Sequence, residues 1–201
     1  MVFQLIVLLL SAIIHEYMHG WTADRLGDDT AKVMGRLTLN PIAHIDIWGS
    51  IVMPALIYLG TGGSFIFGYA KPVPFNPYRL RDPKYGSAKV ALAGPLSNLF
   101  LAVAFGLVIR FIGESAFISP FAMQLLQIVV FINLLLAIFN SIPIPPLDGS
   151  KIIAPFLPES IQRIYASLEM YGMFLVLAFV FFGFSLVLPI IGFFFTLITG
   201  L

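Results

Sequence analysis

Five stretches of the chain, residues 1–14, 47–70, 90–109, 115–147 and 170–201, contain no Asp, Glu, Lys or Arg. A helix needs about 20 mostly apolar residues to cross the hydrocarbon core of a bilayer. Several of these runs reach that length, which fixes the class of fold before any motif is read. Composition agrees: 59% of the 201 residues are hydrophobic and 10% charged, against about 45–50% and 25% in soluble domains. The chain reads as an all-α polytopic membrane protein with about five to six transmembrane helices. A short re-entrant or extended β-like segment interrupts them. One integral-membrane domain is expected over 1–201, with a core over about 1–165 and a C-terminal helical segment over about 166–201. Fibrous, disordered and disulfide-stapled classes are excluded. The absence of cysteine removes thiol catalysis and cysteine-based metal sites. A net charge of +1 carries no signature of a nucleic-acid partner.

Helices are expected over about residues 2–21, 44–59, 85–111, 121–141 and 167–188. The first lacks the basic flank of a secretory signal and is read as a retained helix. Residues 22–42 are polar, with strand character over 32–39 that Asn40 and Pro41 end. Residues 64–77 hold three prolines and read as extended chain. Residues 150–165 form a short amphipathic stretch. The run after Pro189 is too short for another full span.

The first helix ends in His15-Glu16-Tyr17-Met18-His19. Four residues make about one helical turn, so both imidazoles leave the same face. Two neutral histidines at that spacing can share one Zn²⁺, with the intervening Glu16 acting on a metal-bound water. Three ionisable residues within five positions of an apolar helix are costly in a membrane and usually functional.

A zinc site with an open position takes three protein ligands. The candidates for the third are His44 and the carboxylates bordering apolar runs, Asp46, Glu114, Asp148 and Glu169. Asp148 stands out by its setting. Pro143, Pro145 and Pro146 cannot remain helical, so the chain unwinds just before it. Irregular backbone at membrane depth is tolerated only where it is buried or lines a wet cavity. Asp148 is then either an oxygen ligand or a cap for the amphipathic stretch that follows.

In the helix over 85–111, Ser87, Ala91, Gly94 and Asn98 lie on one side. Small residues allow close helix contact in lipid, and Gly94 reads as packing. Asn98 can bond across to another helix and is also a candidate for contact with substrate.

Together these features resemble the site-2 protease family of intramembrane zinc metalloproteases. The resemblance rests on His15-Glu16-x-x-His19, Gly94-Pro95-x-x-Asn98, and Asn140-x-x-Pro143 followed by Leu147-Asp148-Gly149. Residues 68–74, GYAKPVP, also resemble the proline-containing loop of compact prokaryotic members. The resemblance implies that His15, His19 and Asp148 bind zinc and that Glu16 is the catalytic acid/base. It places Asn140 near the site, orienting substrate. It implies hydrolysis of a peptide bond in or near the transmembrane segment of a membrane-protein substrate. The expected form is a minimal multi-pass core in a prokaryotic plasma membrane, without PDZ or CBS modules. Regulation would then come from elsewhere or from a membrane partner.

Topology sets a puzzle. If the helices over 44–59, 85–111 and 121–141 all cross fully, His19 and Asp148 end on opposite sides. Either residues 64–77 re-enter the membrane, or the helix over 44–59 spans only in part, or the chain after Ser141 folds back. Re-entry is the preferred expectation. Basic residues in 22–39 and 71–89 put those segments in the cytoplasm, with the active site opening there. The competing function is a metal-binding transporter or channel with a midplane site, which also uses broken helices. Against it stand Glu16 between two histidines and the lack of a duplicated half.

Overall fold

A computed structural model describes residues 2–60, 62, 68, 70–112 and 118–201. Three helices are long and apolar enough to cross a membrane: α1 (Val2–Arg25), α4 (Gly86–Ile112) and α5 (Pro120–Asn140). A fourth span arises only if the pair α7 (Glu159–Glu169) and α8 (Gly172–Phe182), bent by 87°, is taken as one. The expected five to six spans are reached only by adding shorter apolar helices. The protein is multi-pass, all-helical, and without a β-strand among the described residues.

The three long helices pack together. Asn98 of α4 touches Ser11 and His15 of α1 and Asn133 of α5. One turn earlier, Gly94 lies against His15 and His19. Val90, a further turn earlier, meets His19. Residue numbers fall along α4 as they rise along α1, so the two helices are antiparallel, and α5 runs parallel to α1. A second apolar cluster, with Ala102, Ile109, Val130, Leu134, Val187 and Ile191, fixes α9 (Val187–Thr199) against α4 and α5.

The topological puzzle resolves through a short second helix. Residues 44–59, expected as one span, form a π-helical turn (Ile47–Val52) of six residues and α3 (Met53–Gly60) of eight. At 1.5 Å per residue this is about 21 Å, short of the roughly 30 Å core. A partial span leaves α4 to return the chain across the bilayer. The end of α5 therefore comes out on the same side as the end of α1. The preferred expectation, re-entry of 64–77, falls partly outside the described residues: 63–67 and 69 are not among them.

Two other expectations change. Residues 32–39 form no strand. The short helix α2 (Thr30–Val33) takes the first of them, and Gly35, with φ +65°, turns the chain back. Only glycine adopts that angle cheaply. The helix expected over 167–188 is broken twice, at Met170–Tyr171 and at Gly183.

The entry to α4 is capped by Asp82. Its carboxylate accepts from the backbone N–H groups of Lys84 and Tyr85, and Lys89 Nζ lies 2.6 Å away. Lys89 first, then the Tyr85 N–H, holds this carboxyl below its ordinary value.

Candidate metal centre

His15 and His19 are both buried in α1 and meet edge to face, with ring centroids 4.6 Å apart. What lies behind each ring decides its protonation. Asn98 is 0% exposed, and its Nδ2 donates to Ser11 O at 3.2 Å and to Asn133 Oδ1 at 3.0 Å. Both amide hydrogens are thus used, which turns Oδ1 toward His15 Nδ1 at 2.6 Å. His15 Nδ1 must then carry the proton. His19 Nδ1 faces the Val90 carbonyl at 2.7 Å, an acceptor that again demands a donor.

In the neutral imidazole with Nδ1 protonated, each Nε2 presents a lone pair. Both point at Asp148 Oδ2, at 3.0 Å and 3.2 Å. One ligand atom from each of the three residues lies within 4.8 Å of the others. Three acceptors facing one another repel unless a cation or proton sits between them. Two imidazole nitrogens and one carboxylate oxygen, with room for a fourth ligand, are a zinc donor set. The hydrogen bonds behind the rings are the support that fixes tautomer and orientation in such sites.

The backbone around Asp148 explains how it arrives there. After α5 the chain turns through its proline cluster and enters α6 (Asp148–Ile153). A Cβ on Gly149 would run into the Ser141 and Ile142 carbonyls, so only glycine lets α6 press against the end of α5. The capping alternative for Asp148 is not seen: α6 has no side-chain cap bond. The other candidate ligands lie elsewhere. His44 is buried and bonds Thr38 O at 2.7 Å. Asp46 caps the π-helical turn through Gly49 N–H at 2.7 Å. Glu169 closes α7. Glu114 lies outside the described residues.

A cavity of about 160 Å³ opens on the centre, with Glu16, Asn140 and Lys151 in its wall beside the three converging residues. That volume holds several waters. Residues 71–76 roof it. Val73 N–H donates to Glu16 Oε2 at 2.8 Å, Lys71 N–H to His44 O at 2.9 Å, and Asn76 N–H to the fully buried Asp28. Arg36 donates to the Lys71 carbonyl at 2.9 Å. Pro72 and Pro74 have no N–H to give. This strap is anchored through its own backbone groups, so little of it is free to pair with another strand.

Asn140 lines the cavity, with its Nδ2 turned to Leu136 O at 2.9 Å. Asn98 does not line it. With no exposed surface and all its polar atoms engaged, Asn98 stands behind His15, out of reach of a substrate. Gly94 is more than packing: a Cβ there would lie 2.5 Å from Nε2 of both histidines. Its place on the Asn98 face of α4 was the available signal. Periodicity shows a face and leaves the neighbour of that face unnamed.

Residues 106–183 match the family described as Peptidase family M50. Over 184 residues the chain is 39% identical to "Putative zinc metalloprotease YwhC" of Bacillus subtilis, covering 88% of this chain and 80% of that protein. Over 169 residues it is 32% identical to "Putative zinc metalloprotease Rip2" of Mycolicibacterium smegmatis, covering 84% of this chain and 62% of that protein. The chain thus spans less than two-thirds of Rip2. "Zinc metalloprotease MJ0392" of Methanocaldococcus jannaschii is 24% identical over 154 residues, which is 34% of its length. No solved structure matches. Identity at this level along four-fifths of YwhC places the chain in peptidase family M50, the site-2 proteases.

Proposed function

We propose that this protein is a zinc endopeptidase that hydrolyses a peptide bond in or near the transmembrane segment of a membrane-protein substrate. The observation that carries the reading is the convergence of two bare Nε2 atoms and Asp148 Oδ2 beside Glu16 in one cavity. Depth supports the membrane substrate. Trp21, stacked under the Arg25 guanidinium 5.0 Å from its ring centroid, suits the membrane interface. His15 lies six residues before Trp21, about 9 Å deeper along the helix.

Orientation follows from charge. Of the eleven Lys and Arg residues, only Arg110 lies at the end of α4 remote from the centre. The others lie at or beyond the end where His19 and Asp148 meet. The positive-inside rule makes that end cytoplasmic, so the cavity opens to the cytoplasm.

His15, His19 and Asp148 would hold the zinc, with Asn98 and the Val90 carbonyl fixing the two rings. Zinc in such a site polarises a carbonyl and brings the pKa of a bound water to about 7. Glu16 takes a proton from the attacking water and delivers it to the leaving amine. The Val73 N–H keeps the Glu16 carboxylate turned toward the cavity. Asn140 orients the substrate backbone.

The test uses the purified protein in detergent with a set of single-span membrane proteins. Mass spectrometry of the products should place the cut within or at the edge of the apolar segment. A zinc chelator should stop cleavage and added zinc should restore it. Cleavage that persists after the metal is removed, or metal flux in proteoliposomes without any cleavage, would contradict the reading.

A further inference from the structure

One charged side chain in the cavity wall is left without a task by this mechanism. Lys151 lines the cavity with His15, Glu16, His19 and Asp148. It sits three residues after Asp148 in α6, so the two side chains share a helix face. It is half-buried. Among the described residues no carboxylate lies within ion-pair distance of its ammonium. The two carboxylates of the cavity are engaged elsewhere: Glu16 accepts from Val73 N–H, and Asp148 faces the imidazoles. Asn140 already donates to Leu136 O. Among the described residues Lys151 is therefore the one cationic side chain in this wall, with its donors uncommitted.

Peptide hydrolysis gives such a group a use. When the water oxygen bonds to the carbonyl carbon, the C=O π pair moves onto the carbonyl oxygen, and the proton goes to Glu16. On collapse that pair re-forms the C=O bond and the C–N bond breaks. Its electrons pass to nitrogen, which takes the proton back from Glu16. Negative charge on the carbonyl oxygen peaks between these events. A hydrogen-bond donor placed against that oxygen, as in an oxyanion hole, is worth about 100- to 1,000-fold in rate.

We infer that Lys151 is a catalytic residue whose ammonium donates a hydrogen bond to the scissile carbonyl oxygen as its charge develops. The inference rests on the zinc-endopeptidase reading and adds to it a second electrophile from the chain itself. It gives the cavity a functional polarity: the proton-handling Glu16 works under the strap, and the charge-stabilising Lys151 works from α6.

Lys151→Met keeps the length and removes the charge; Lys151→Arg keeps a cation. Three quantities are measured on wild type and both variants: kcat and KM on one single-span substrate, bound zinc, and affinity for a phosphinic peptide, which mimics the tetrahedral oxyanion. Lys151→Met should lose about 100- to 1,000-fold in kcat with KM nearly unchanged and one zinc retained. Phosphinic-peptide affinity should fall by a similar factor. Lys151→Arg should recover most of both. A kcat close to wild type in Lys151→Met overturns the inference. So does a defect confined to KM, or zinc loss in both variants, which would make the residue structural. If wild type itself does not cleave, the zinc-endopeptidase reading fails first; if wild type cleaves and Lys151→Met matches it, only the role of Lys151 fails.

Discussion

Gly94→Ala is expected to strip the protein of zinc and of cleavage, although it adds one methyl group. In an exposed helix interior this change is stabilising by about 1 kcal/mol, because alanine is the better helix former. At position 94 the new Cβ lies 2.5 Å from Nε2 of both His15 and His19. Zinc sits about 2.0–2.1 Å from an imidazole nitrogen, so methyl and metal compete for the same space. The rings cannot retreat cheaply. His15 is held from behind by Asn98 at 2.6 Å and His19 by the Val90 carbonyl at 2.7 Å. Disturbing support of this kind lowers metal affinity by about 10- to 100-fold, and blocking the metal's place should exceed that. The check is zinc content beside thermal unfolding. Low zinc in a helical, cooperatively unfolding protein is the expected result; a fully loaded and active Gly94→Ala would place the metal elsewhere.

Glu16→Gln should give the opposite signature: one zinc retained and turnover lost. Glutamine has the same shape, and its amide oxygen can still accept from Val73 N–H, so the strap stays where it is. None of the three converging residues is touched. What disappears is a group able to take a proton and return it. General acid–base catalysis of this kind contributes about 100- to 10,000-fold, and kcat should fall by that range at nearly constant KM. The two variants separate the metal from the proton: Gly94→Ala removes both functions, and Glu16→Gln removes one.

The site was legible where chemistry is local in sequence. His15, Glu16 and His19 share one turn of one helix, and the prolines before Asp148 announce an unwound chain at the right border. The long helices α4 and α5 end within a residue or two of expectation, because charges and prolines mark their edges. What escaped depends on contacts between distant residues. Asn98 reads as a group that bonds across to another helix, with substrate contact the lesser candidate, and the partner of that bond stays unnamed. Its work is to hold His15, 83 positions away, and sequence spacing does not reveal that pairing. Gly94 looked like packing because small residues on a helix face allow close helix contact. Asp28 and Arg36, which anchor the strap, sit in a polar segment where any charge reads as solvated. The strand character of residues 32–39 lost to a local turn at Gly35. The break near Met170 has Glu169 and Gly172 at its edges but no proline, and the long apolar run that follows hid it inside one expected helix.

The most direct test of the account is the zinc content of purified wild type, Glu16→Gln and Asp148→Ala after identical dialysis. One zinc per chain is expected in wild type and in Glu16→Gln, and close to none in Asp148→Ala, whose two remaining ligands are too few for a stable site. Full zinc in Asp148→Ala, or a cleaving wild type that carries no metal, would contradict this expectation.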